Sequence, residues 1–207
     1  MKCVVSKDGR ALGAGRALFL LLVVGFFLEP CARADLWMGN VSAVVGLKQL
    51  DKHRWDPAAQ DTEVGVMIDF RAESWPVSAV VDLFQANGRG KDTFSLDAKI
   101  HELHLGCRKI WNDSIEASSL RPYVGAGVSL ARAEALLRPS GGKRELDIGY
   151  GPGAWVGAGV YWTPVPNLNI GADVRWSTVP LKLSDERFDA GGLHYGVLVG
   201  WRWMGPL

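Results

Sequence analysis

Residues 153–176 read GAWVGAGVYWTPVPNLNIGADVRW, and this stretch holds a complete architectural unit. Ala154, Val156, Ala158, Val160 and Trp162 share one parity, opposite Gly153, Trp155, Gly157, Gly159 and Tyr161. After a turn carrying Pro164 and Pro166, Leu168, Ile170, Ala172, Val174 and Trp176 oppose Asn169, Gly171, Asp173 and Arg175. A period of two is the signature of a strand with two unlike faces. The unit is therefore a hairpin, apolar on one face and glycine-rich and polar on the other.

The same alternation runs outward in both directions. Trp37, Gly39, Val41, Ala43, Val45 and Leu47 oppose Met38, Asn40, Ser42, Val44 and Lys48. Further alternating segments cover 62–71, 77–84, 120–130 and 193–203. Segment 94–111 is less regular: Leu96, Ala98 and Ile100 set one parity, and Leu103, Leu105 and Cys107 the other. A parity switch requires an extra residue, so a β-bulge is expected near His101. The count comes to eight strands of about ten residues, enough to cross a bilayer when tilted. Gaps 51–61, 85–93, 135–151 and 178–192 are long and charged, whereas 72–76 and 163–167 are tight and 112–119 is intermediate. Long loops at one end and short turns at the other fit an all-β, eight-stranded antiparallel up-and-down transmembrane barrel.

Alternation alone leaves open whether the apolar face looks inward, as in a soluble lipocalin-like barrel, or outward into lipid. Apart from Lys109 at a strand end, the apolar face carries no charge. The opposite face mixes Glu63, Asp69, Arg71, Asp82, Glu102, Arg108, Arg121, Asp173, Arg175 and Arg202 with many glycines. Glycine weakens a solvated strand, but inside a narrow barrel it makes room for long charged side chains. Acids and bases are equal in number in that set, so every charge has a potential partner, as a dry interior demands. Trp37, Trp75, Trp111, Trp162, Trp201 and Trp203 map to strand ends or turns on the short-turn side, as an interfacial girdle requires. The apolar face is thus expected to meet lipid. Eight strands leave a lumen that side chains fill, so no open pore is expected.

The remaining chain fits an exported protein. Lys2, Lys7, Arg10 and Arg16 precede the apolar run 17–28, and Ala32-Arg33-Ala34 follows. This is the plan of a signal peptide, with cleavage expected after Ala34 and the barrel domain occupying 35–207. Cys3 and Cys31 would leave with it, so Cys107 has no partner for an intramolecular disulfide. Overall Lys+Arg is 23 against Asp+Glu 22, a balance that gives no reason to expect nucleic-acid binding.

The eightfold pattern, the run LRPYVGAGV at 120–128, GAGVYW at 157–162 and NIGADVR at 169–175 resemble the small outer-membrane β-barrel proteins: the OmpA transmembrane-domain-like, opacity-type and OmpW-like barrels. The resemblance covers essentially all of 35–207. It implies residence in the cell outer membrane, contact with its lipids, and delivery by periplasmic chaperones and the barrel-assembly machinery. A monomer is expected.

Signals for chemistry are sparse. Gly149-Tyr-Gly-Pro-Gly-Ala154 has the spacing of a dinucleotide fingerprint but leads into a strand, so no helix N-terminus faces a pyrophosphate. His101 and His104 are three apart, which a regular strand places on opposite faces; an interior hydrogen bond suits His104. His194, near the outer rim, lacks the serine two residues on that lipid-A deacylases of this class carry, having Gly196 there. No cofactor, metal or catalytic residue is expected. The expected role is structural or surface-interactive. The alternatives are an OmpW-like conduit for small hydrophobic molecules, whose lumen Phe84, Trp155 and Leu198 would line, and a lipid-A-modifying enzyme.

Overall fold

Each alternating segment leaves its backbone N–H and C=O groups unpaired, and only closure of the sheet removes both edges. The computed structural model describes residues 36–50, 60–89, 96–111, 119–137, 145–183 and 186–205. Eight strands close the barrel: β1 (Trp37–Gln49), β2 (Gln60–Ala72), β3 (Ser78–Arg89), β4 (Leu96–Ile110), β5 (Ser119–Leu137), β6 (Glu145–Val165), β7 (Leu168–Thr178) and β10 (Gly192–Gly205). Each pairs antiparallel with its neighbour, and β1 pairs with β10, from Trp37 opposite Gly205 to Gln49 opposite Leu193. The shortest, β7, has 11 residues, the length a tilted spanning strand needs. The expected cleavage point at Ala34 lies outside the described residues.

The β6–β7 turn shows why the short turns are tight. Pro166 supplies the fixed φ of a first central position, and Asn167 takes φ 72°, the left-handed conformation that asparagine tolerates. The Asn167 side-chain amide donates to the Arg202 carbonyl at 2.7 Å, fastening the turn to β10.

Two expectations are corrected. No bulge interrupts β4: its register is continuous against β3 and β5, and Ala98, Ile100, Glu102, His104 and Arg108 all face inward. The apolar residues Ala98 and Ile100 lie inside because the lumen at that level is itself apolar. The second correction concerns the gaps. Strands β5 and β6 run to 19 and 21 residues, absorbing most of gap 135–151. Gap 178–192 contains its own hairpin, β8 (Pro180–Leu183) paired with β9 (Glu186–Asp189).

That hairpin packs into the outer, long-loop end of the barrel. Val179, Leu181, Leu183 and Ala190 are buried in one cluster with Ala86, Ala98, Ile100, Ala131, Ala133 and Ala135. A Cβ on Gly149, Gly151 or Gly153 would strike the backbone carbonyls of Lys182, Pro180 or Thr178 respectively. The glycine spacing that mimics a nucleotide fingerprint instead clears the inner wall of β6 for a strand lying across it.

Candidate functional site: the barrel interior

From the short-turn end upward, the lumen is filled in layers. The lowest is built on amides. Arg121, fully buried, donates to Asn169 Oδ1 at 2.6 Å and to Asn40 Oδ1 at 3.3 Å. Asn169 donates to Asn40 at 2.7 Å and Thr163 donates to Asn169 at 3.0 Å. Arg202 is also buried at this end.

Above it sits the charge cluster. Arg108 bridges two carboxylates, Asp69 and Asp82, each at 2.9 Å. Tyr161 donates to Asp69 at 3.0 Å, and Asn40 does so at 2.6 Å. Arg175 donates to Asp173 at 2.9 Å and lies 3.6 Å from Asp82, while Tyr123 donates to Asp173 at 2.7 Å. The Arg175 guanidinium also stacks 4.2 Å above the Phe84 ring. Ion pairs in so dry a place persist only when hydrogen bonds satisfy their other lone pairs, which is the part the two tyrosines and Asn40 play. A guanidinium suits a bridge between two acids because its planar fork presents several donors at once.

The third layer is made of lysine and histidine. Lys48 pairs with Glu102 and donates to the Ala190 carbonyl at 2.6 Å, linking the wall to the base of the inner hairpin. Glu102 also meets His104 Nε2 at 2.7 Å. Glu63 meets His194 Nδ1 at 2.6 Å, and His194 Nε2 meets the Ser177 hydroxyl at 3.0 Å. His104 stacks on Trp155, with ring centroids 5.5 Å apart.

Eight of the ten charges expected inside are joined by shared contacts: Asn40 links Arg121 to Asp69, and Arg175, 3.2 Å from His104 Nδ1, links the aspartates to Glu102 and, through His194, to Glu63. Asp69, Asp82, Arg108, Asp173 and Arg175 come together. Glu63 and Glu102 are served by Lys48 and the histidines instead of arginines. Arg121 is held by amides. Arg71, half-buried at the turn, donates to the carbonyls of Trp75 at 3.1 Å and Glu73 at 3.4 Å. Sequence reasoning passed over Lys48 and the interior place of His194, although both fall on the inward parity. His101 and His104 point to opposite faces of β4.

Ser177, His194 and Glu63 stand in the order of a hydrolase triad. However, the Ser177 hydroxyl is closed beneath the hairpin and also lies 3.2 Å from the Glu102 carboxylate. An oxyanion formed there would face a fixed negative charge, the reverse of what acyl transfer needs.

Around mid-height the outer face is apolar. Val41, Val45, Val66, Leu83, Val128, Val156, Val174 and Val197 are all exposed. At its short-turn end Trp111, Trp162 and Trp201 are exposed, Trp37 and Trp203 are half-buried, and Trp37 meets Trp75 edge-on at 5.6 Å. Toward the long-loop end stand Tyr150, Trp176 and Tyr195, also exposed. Cys107 is exposed within the apolar band.

Comparison with solved structures gives the same fold. Neisserial surface protein A aligns with TM-score 0.51 and 17% identity over 83% of this chain and 97% of that one. The outer membrane protein OprG from Pseudomonas aeruginosa aligns with TM-score 0.50 and 16% identity, again over 83% of this chain and 97% of that one. The fold is that of the small eight-stranded outer-membrane barrels. No family model matches the chain, and no curated protein matches it.

Proposed function

We propose that this chain is an integral outer-membrane barrel that seals its own lumen and serves a structural and surface-presenting role without catalysis. Membrane lipids are its immediate partners, and periplasmic chaperones and the barrel-assembly machinery deliver it. The observation carrying this reading is the double closure of the interior: paired charges at mid-height and an apolar inner hairpin above them. A protein meant to pass solutes has no use for either filling. The conduit alternative calls for an empty apolar lumen in the outer half. Phe84, Trp155 and Leu198 are instead buried, Phe84 beneath Arg175 and Trp155 against His104.

Two measurements test the reading together. Unboiled protein from the outer-membrane fraction is expected to migrate differently from boiled protein on a denaturing gel. Reconstituted in planar bilayers, it is expected to give no steady conductance above the lipid baseline. A soluble protein with no heat shift, or a stable ionic current, contradicts the reading.

A further inference from the structure

The described part of the outer wall carries a recess. A groove of about 720 Å³ crosses β2 to β6; most of its lining residues face away from the lumen, and Phe84, Glu102 and Ala131 of the inward parity also border it. Its sides include Val64, Val66, Leu83, Leu103 and Leu130. Its end nearest the long loops is polar: Gln85, His101, Arg132 and Tyr150 are register neighbours on β3, β4, β5 and β6 in turn. One row further out, Lys99 lies opposite Glu134.

This end is cationic where a lipid headgroup would sit. Arg132 is 41% exposed, and its only ion pair among the described residues is Nη2 to Glu134 at 2.8 Å. Its Nε is buried without an acceptor among the described residues, which leaves the half-exposed outer part of the guanidinium to meet a ligand, and the guanidinium lies 5.9 Å from the Tyr150 ring centre. Lys99 and His101 stand on the same outward face of β4. In these two rows one carboxylate, Glu134, stands against Arg132 and Lys99, so the two rows keep positive charge even when His101 is neutral. A partly exposed guanidinium can present its outer N–H groups to phosphate, and a lysine adds a point charge.

We infer that this groove is a docking site for a phosphorylated outer-leaflet lipid, with an acyl chain along Val64, Leu83, Leu103 and Leu130 and a phosphate at Arg132 and Lys99. The inference rests on the lipid-outside reading above. Apolar groove and cationic rim follow one another along the strands in the order that a lipid's tail and headgroup require. An aromatic side chain at the junction, here Tyr150, suits the same boundary.

The test uses the full chain in detergent micelles and in vesicles, with bisphosphorylated hexa-acyl lipid A as probe. Its dephosphorylated form and inorganic phosphate serve as comparators. Binding is read by native mass spectrometry and by the shift in thermal unfolding. The bisphosphorylated lipid is expected to bind and stabilise. The double variant Arg132→Gln/Lys99→Gln is expected to weaken binding about tenfold or more, the loss of charged hydrogen bonds. Val64→Trp, which fills the groove and leaves the rim intact, is expected to weaken it too. Equal binding of the dephosphorylated lipid, indifference to both variants, or full competition by millimolar phosphate overturns the inference. A chain that floats with vesicles but shows any of these results loses the groove site alone. One that does not float with vesicles loses the lipid-outside reading and the site with it.

Discussion

Below Ser177 the lumen is packed with arginine, aspartate, tyrosine and asparagine; above it, alanine, leucine and valine fill the same cross-section. Strands β3 to β6 run through both regions, whereas β7 ends at Thr178 and β10 begins at Gly192, opposite Ser177. In the lower region charged side chains reach into the barrel from six strands, β2, β3, β4, β5, β7 and β10, and each must find its partner there. In the upper region the wall residues are small, as Ala86, Ala131, Ala133 and Gly151 illustrate, and a separate hairpin supplies the bulk. Side chains can fill a narrow barrel, but small wall residues require another piece of chain. The Lys48–Glu102 pair lies at the seam, since Lys48 also binds the hairpin's Ala190 carbonyl.

The largest expected effect lies in the lower region. Arg108→Ala leaves Asp69 and Asp82 buried and facing each other without their bridge. Loss of one partner from a buried pair costs about 3–5 kcal/mol, read by urea unfolding in lipid vesicles. Adding Asp69→Asn and Asp82→Asn should recover part of that loss, because the uncompensated charges are then gone. A small effect for Arg108→Ala would mean that water reaches the cluster, and the contrast between the regions would fall.

The upper region should respond more mildly and in a different observable. Gly151→Val places a branched side chain against the Pro180 carbonyl. Overpacking of this kind costs about 1–3 kcal/mol. It should push the β8–β9 hairpin off the wall, so trypsin should cut faster at Lys182 or Arg187 in the folded protein. An unchanged digestion rate would mean that the hairpin does not depend on the cleared wall.

The smallest effect is expected at Asp61. It faces inward opposite Lys48, and both its carboxylate oxygens are buried without a partner among the described residues. Since Lys48 is engaged with Glu102, Asp61→Asn should leave stability unchanged or raise it, by removing an unpaired buried charge. A large loss would reveal that Lys48 needs both acids.

The lower region was legible in the sequence because its chemistry contrasts with the apolar face at every second residue. Asp173 and Arg175 between Ala172, Val174 and Trp176 leave little choice of face. The upper region was not legible, for a physical reason. Parity identifies the inside only when inside and outside differ in polarity, and Ala98 and Ile100 are as apolar as a lipid-facing residue. The rule that apolar means outward therefore assigned them to the wrong face and required a bulge to reconcile them with Leu103. The glycines at 149, 151 and 153 signalled close approach of another backbone, but only a folded hairpin reveals which one. Pairing within the lower region was hidden too. Asp173 meets Tyr123 and Arg175, and no strand pattern ranks those above the other interior groups.

Cys107 tests the account most directly, because its face follows from the same parity that buries Arg108 beside it. The full chain with Cys3→Ser and Cys31→Ser, folded into lipid vesicles, should react with a membrane-permeant maleimide. It should resist a charged maleimide of similar size until unfolded. Equal labelling of the folded protein by both reagents would place Cys107 in water and contradict a barrel with lipid outside and paired charges within.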